Sequence, residues 1–149
     1  MPDTKKIGHE VTVNFFAPTV KNNGVFYTDS NALEMQKRIL NFRPTWDLVT
    51  SGSLNVTANY YPIQSAIAIV DEETNMQFVV MNSRSQGGSV LEDGRIELMQ
   101  NRRLNVDDWR GMGDPLNEVD KDGNGISVPA TYYVQLFNQA SRKPLQRII

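Results

Sequence analysis

Apolar and polar positions alternate with period two along much of the chain, and helical periodicity is scarce. The stretch EVTVNFF (10–16) alternates and is rich in β-branched and aromatic residues, the mark of a half-buried strand. SAIAIV (65–70) and MQFVVM (76–81) flank the polar segment DEETN and predict a β-hairpin. RIELMQN (95–101) places Ile96, Leu98 and, continuing the alternation, Gln100 on one face. ATYYVQLFN (130–138) is the strongest strand pattern of all. Gly, Asn, Asp and Pro punctuate the intervals between these runs. The pattern predicts an all-β chain arranged as an antiparallel β-sandwich.

Two stretches resist a single reading. TDSNALEMQKRIL (28–40) could be a helix capped at Ser30, with Glu34 and good helix formers following. It could equally be a β-turn TDSN that feeds a strand, although local propensity favours the helix. Residues 102–128 form the longest irregular region, long enough to predict either a functional loop or poor order. SRSQGGS (83–89) lacks the strand–glycine–lysine–helix context of a phosphate loop. Its glycines are expected to permit a tight backbone path between two strands.

At 149 residues the chain fits one domain, 1–149, with room for a real core. A composition 40% hydrophobic and 21% charged is that of a folded chain, and a net charge of −2 argues against a general nucleic-acid binder. No run approaches the roughly 20 apolar residues of a membrane helix, and MPDTKKIGHE carries no secretory apolar region. The absence of cysteine excludes disulfides, thiol catalysis and zinc–thiolate sites. The single histidine, His9, near the N-terminus, is expected to be an exposed side chain without a role. NVT (55–57) is an acceptor sequon that would make Asn55 a glycosylation site in a secretory chain. VDKDGNGIS (119–127) resembles the first half of a calcium loop, with Asp120, Asp122, Asn124 and Gly125 in place. Thr131 then stands where the bidentate glutamate belongs, and a plain hairpin loop accounts for the same residues.

The richest concentration of charge is QNRRLNVDDWRGMGD (100–114). Adjacent residues in extended chain point to opposite faces, so Asp107 and Asp108 cannot face each other across a substrate as an acid/base pair must. Taken alone, the residues favour an Arg–Asp network that shapes the loop.

The order of motifs carries more information than any one of them. FYTDSN…EMQKR (26–38), RPTW (43–46), NYYP (59–62), RSQGGS (84–89), DGRIELM (93–99) and RRLNVDDWRG (102–111) occur in one series. This series resembles the C-terminal β-rich region of the family 38 glycoside hydrolases, the class II α-mannosidases, with PLNE (115–118) adding similarity to the lysosomal-type branch. The resemblance covers roughly residues 8–118. It implies an antiparallel β-sandwich that is part of a galactose-mutarotase-like supersandwich and incomplete as a stand-alone unit. In the family TDSN is followed by glycine and turns between strands, which implies a strand over 32–39. Here Ala32 stands at the glycine position, where a positive φ would be costly.

The resemblance further implies a zinc-dependent retaining α-mannosidase with an aspartate nucleophile. Two His and two Asp from an N-terminal α/β domain and the helical region beside it would hold the zinc. One histidine cannot supply that set, so no cofactor or metal is expected on this chain itself and zinc would belong to a parent enzyme. The chain is then a part of that enzyme, inactive alone, whose partners are the N-terminal catalytic domain and mannose-containing glycans. A lysosomal or secretory location follows from the same resemblance. By analogy with the family loop, Arg110 would sit at the cleft edge and support the active-site carboxylates, since a guanidinium can fork onto a carboxylate and orient it. Asp107 and Asp108 would fix the arginines, Arg102 and Arg103 would brace the loop, and Trp109 would be free to meet sugar or another domain. The rival expectation is a stand-alone carbohydrate-binding sandwich using Trp109, Trp46 or Tyr60–Tyr61 as stacking platforms. A calcium-stabilised adhesion-type domain is a third.

Overall fold

A computed structural model describes residues 9–49, 54–104, 106, 111, 113 and 115–138. The elements in chain order are β1 (His9–Phe16), β2 (Val25–Ser30), β3 (Glu34–Ile39), one helical turn α1 (Leu54–Thr57), β4 (Tyr61–Ile63), β5 (Ala66–Asp71), β6 (Met76–Asn82), β7 (Gln86–Glu92), β8 (Arg95–Arg103) and β9 (Tyr132–Asn138). They form two antiparallel sheets, one ordered β1-β8-β7-β4 and the other β3-β2-β5-β6-β9. The architecture is the β-sandwich that the alternating pattern predicts.

The core lies between the sheets. Phe26, Ile67, Ile69, Phe78 and Val80 from the five-stranded sheet meet Ile63, Val90, Ile96 and Leu98 from the other, all buried. Residues i and i+2 of each strand supply these contacts, which is why period-two alternation marked the strands. β5 departs from the alternation because it is central and covered on both sides. Ala66 and Ala68 point away from the inter-sheet core and lie under Tyr27, Met35, Met81 and Phe137. The expected hairpin is present as β5 and β6, in register from Ala66 opposite Met81 to Asp71 opposite Met76.

The ambiguous segment 28–40 is a β-hairpin, so the local helical propensity is overridden. Ser30, Asn31, Ala32 and Leu33 form its turn, closed by the Leu33 N–H donating to the Ser30 carbonyl at 3.0 Å. Asn31 and Ala32 both take left-handed conformations, with φ of 51° and 59°. Two positive φ values at the centre of this turn match the right-handed twist of the strands, which pair from Ser30 opposite Glu34 onward. β3 then pairs with β2 along its whole length, and Met35 joins the apolar cover over Ala66 and Ala68. As a helix the same residues would leave that side of β2 unpaired.

The glycines of SRSQGGS sit inside a strand, which corrects the expectation that they join two strands. Gly87 and Gly88 belong to β7. A Cβ on Gly88 would stand 2.7 Å from both Ile63 Cγ1 and Leu98 Cδ2, so the missing side chain lets neighbours close over the sheet.

The chain passes from one sheet to the other between β4 and β5, and Asp29 holds this crossing. Its Oδ1 accepts the backbone N–H groups of Gln64, Ser65 and Ala66 at 2.8, 3.0 and 3.1 Å. Its Oδ2 accepts the Ala32 N–H at 2.8 Å, so one buried carboxylate ties the β2–β3 turn to the crossing. Burial pushes the Asp29 pKa upward, but these four donors outweigh it and leave the carboxyl below its ordinary value.

Among the described residues β9 is an edge strand. Val134 and Leu136 stand opposite Val80 and Phe78 and share their inward-facing side. They are nonetheless 49% and 52% exposed, because the four-stranded sheet does not reach over them.

Candidate functional site

The charged stretch begins on β8 and continues into the long irregular region. Arg102 and Arg103 close β8, opposite Glu10 and His9 of β1. The Arg103 guanidinium donates to the carbonyls of Glu118 and Asn117 at 3.3 and 3.2 Å, and the Leu104 N–H donates to the Leu116 carbonyl at 3.0 Å. These bonds lay residues 115–118 alongside the end of β8. A small hollow of about 160 Å³ opens there, lined by Arg102, Arg103, Leu116, Glu118 and Val128 among others. Asp107, Asp108, Trp109 and Arg110 lie outside the described residues. Asn55 belongs to α1, on the connection between β3 and β4.

The calcium-like loop is closed on itself. Asp120 Oδ1 accepts the N–H groups of Asp122 and Asn124 at 2.9 and 2.8 Å, and Val119 bridges to Gly125. The Asn124 bond chiefly, with the others of the loop, holds the Asp120 carboxyl below its ordinary pKa. This hydrogen bonding is that of a polar hairpin loop with Gly123 at φ 79°.

Tyr60 and Tyr61 do not form one platform, because neighbours in extended chain face opposite ways. Tyr61 turns inward, edge-on to Phe26 with ring centroids 5.7 Å apart. The guanidinium carbons of Arg38 and Arg43 stand 4.4 and 4.8 Å from the centre of its ring. Tyr60 lies on the outer face of the four-stranded sheet and donates its hydroxyl to Glu97. Trp46 is 64% exposed on the connection after β3.

Around Tyr60 the outer face carries a second charged group that the sequence did not single out. Arg95 donates to Glu92 at 3.1 Å and to Glu97 at 3.0 Å, and its Nε donates to Asn14 at 2.8 Å. Glu97 is therefore held by a cation and a phenol. Burial, then the hydrogen bond to Glu97 and the negative charges of Glu97 and Glu10, raise the Tyr60 pKa far above that of an ordinary phenol. Tyr60 thus remains a proton donor at all physiological pH. Glu10, Thr12, Val56, Thr57 and Met99 complete a cavity of about 380 Å³ with Tyr60 and Glu97. The signal in the sequence was the alternation Arg95, Glu97, Met99 on the face opposite Ile96 and Leu98.

The fold is an antiparallel β-sandwich of two sheets with a charged region at the end of β8. Comparison with known proteins narrows the class. Residues 6–110 match the family model for the glycosyl hydrolases family 38 C-terminal domain. The chain belongs to that family. It is 47% identical over 129 residues to the lysosomal alpha-mannosidase of Bos taurus, an alignment covering 87% of this chain and 12% of the bovine protein. It is 49% identical over 142 residues to that of Mus musculus, covering 95% of this chain and 13% of the mouse protein. An alpha-mannosidase of Arabidopsis thaliana is 42% identical over 121 residues, 79% of this chain and 12% of the plant protein. The chain thus spans about an eighth of the length of these relatives.

The described residues do not fit a zinc site. The chain has one histidine and no cysteine, and among the described residues no three His, Cys, Asp or Glu side chains are grouped to hold a metal. Among the described residues no helix is long and apolar enough to cross a membrane.

Proposed function

We propose that this chain is the β-domain portion of a zinc-dependent, retaining α-mannosidase that removes terminal α-mannose from glycans, and that it has no activity alone. The observation that carries this reading is the alignment of most of the chain with the C-terminal domain family of α-mannosidases while it spans only 12–13% of their length. Zinc and nucleophile are supplied by polypeptide outside this chain, and the partner of the sandwich is the N-terminal catalytic domain of the same enzyme. The lysosomal relatives support a lysosomal location.

Within that enzyme Arg110 stands at the edge of the cleft, where a permanently charged guanidinium orients and stabilises an ionised carboxylate. Asp107 and Asp108 position the arginines of the loop. Arg102 and Arg103 brace its base, a role to which the two backbone carbonyls held by Arg103 lend support.

The test has two parts. The isolated chain, given an aryl α-mannoside and zinc, shows no turnover; measurable turnover overturns the reading. In the whole enzyme, Arg110→Ala lowers kcat at least about a hundredfold, the scale of losing one preorganised charged group at a reacting centre. The variant keeps its thermal midpoint. An Arg110→Ala enzyme with normal kinetics assigns that arginine to loop structure alone.

A further inference from the structure

The cavity around Tyr60 has no part in the role given to Arg110, and its composition defines a ligand. At about 380 Å³ it falls in the size range of small-molecule sites, roughly 300–1,000 Å³. Its walls combine the apolar surfaces of Met99 and Val56 with the hydroxyls of Thr12, Thr57 and Tyr60 and the carboxylates of Glu10 and Glu97. Gly87 makes this arrangement possible. A Cβ there would stand 2.8 Å from Met99 Sδ and 3.6 Å from Tyr60 Cδ1, so the bare backbone lets both side chains lie against the sheet.

The electrostatics exclude most ligand classes. An anion would meet two carboxylates. A purely apolar group would strip water from the Glu10 carboxylate without replacing its hydrogen bonds. A metal ion would find few free acceptors, since Glu97 already receives Arg95 and Tyr60. Glu10 stands opposite Arg102 in the ladder, yet no cation lies within ion-pair distance of it among the described residues. Its oxygens remain acceptors for neutral donors. A neutral polyol with one apolar face suits this lining: its hydroxyls donate to Glu10 and exchange bonds with Thr12, and its C–H face lies on the apolar wall.

We propose that the cavity formed by Glu10, Thr12, Thr57, Tyr60, Glu97 and Met99 is a saccharide-binding subsite. The sugar comes from either of two sources. One is a free glycan. The other is a glycan carried on Asn55, because α1, which holds the sequon, also contributes Val56 and Thr57 to the cavity. The proposal rests on the mannosidase reading only for the choice of methyl α-mannoside as a probe.

Hydrogen exchange read by mass spectrometry on the whole enzyme tests it, because peptides covering 9–16, 54–63 and 95–101 report this cavity apart from the cleft near Arg110. With Asn55→Gln as background, millimolar methyl α-mannoside or N-acetylglucosamine slows exchange in these three peptides. Tyr60→Ala and the more conservative Glu10→Gln each raise the sugar concentration required, Tyr60→Ala by about tenfold or more, equivalent to ~1.4 kcal/mol. The peptide containing Arg110 responds as before. If the source is the chain's own glycan, peptide mapping finds Asn55 occupied. The three peptides are then protected without added sugar until Asn55→Gln removes it. Exchange in these peptides that is indifferent to both sugars and to Asn55→Gln overturns the proposal, while leaving the Arg110 test unaffected.

Discussion

Two hairpin turns of the sandwich solve the same backbone problem with different residues. At the β2–β3 turn Asn31 and Ala32 both adopt positive φ, where an L side chain is strained. At the β7–β8 turn the positive φ of 73° falls on Gly94. The difference lies in what stands beside each residue. A Cβ on Gly94 would come within 2.6 Å of the Ala17 carbonyl oxygen and 3.1 Å of Pro18 Cα, both backbone atoms that cannot turn aside. Gly94 is also held in place, donating to Asn22 at 2.9 Å and accepting from the Ala17 N–H at 2.8 Å. The other turn lies at the sheet edge, with Asn31 and Leu33 exposed, and its strain is offset by the Asp29 carboxylate on the Ala32 N–H. A left-handed residue must be glycine where backbone crowds it and can be alanine where a hydrogen bond holds it between exposed neighbours.

The largest test of this comparison removes the support of the tolerant turn. Asp29→Ala strands the N–H groups of Gln64, Ser65, Ala66 and Ala32, and at about 1–3 kcal/mol for each buried unsatisfied donor the total loss reaches ~4 kcal/mol after relaxation. Denaturant titration of the whole enzyme or of this chain measures it, and a loss below about 1 kcal/mol would mean that water replaces the carboxylate. The same residue sets a pH dependence. Its folded pKa is depressed, so its contribution is complete above the unfolded value of about 3.9 and is lost as pH falls through the lower folded value. Stability should therefore decline on acidification below about pH 4, with that component missing from Asp29→Asn.

Gly94→Ala comes next. Overpacking against backbone together with a strained φ should cost about 3 kcal/mol and lower the thermal midpoint by roughly 6–12 °C in a domain of this size. A midpoint within about 2 °C of the original would show that the turn re-forms with a different backbone path. The smallest effect has the opposite sign. Ala32→Gly relieves the strained φ, and after the greater entropy of glycine in the unfolded chain it should stabilise by about 0.5 kcal/mol. If Ala32→Gly destabilises, the turn is held by the alanine methyl and the contrast with Gly94 fails.

These turns also show how far the sequence is legible. β8 could be read directly because buried and open positions alternate along it, the β5–β6 hairpin because two apolar runs flank a polar turn, and β1 and β9 because they are rich in β-branched and aromatic residues. β3 could not: Glu34, Met35, Gln36, Lys37 and Arg38 are helix formers, and only pairing with β2 makes them a strand. β7 was obscured by Gly87 and Gly88, whose meaning depends on Met99, Leu98 and Ile63 arriving from elsewhere. Asp29 looked like an ordinary turn residue, since its three partners at 64–66 lie more than thirty positions away. The cavity at Tyr60 was equally hidden, being assembled from β1, β8 and the segment 56–60. The role proposed for Arg110 rests on the order of motifs along the chain, a signal independent of local geometry, and Arg110 itself lies outside the described residues.

The half-covered inner face of β9 has a consequence for how such a chain behaves during synthesis. Val134 and Leu136 project toward the core side yet remain half exposed, and among the described residues β9 has a neighbouring strand on one side, β6. An edge of this kind is a template for adding another strand, from the correct neighbour or from a second copy. An inward-facing charge on such an edge guards against edge-to-edge aggregation, and Val134→Lys would supply one here.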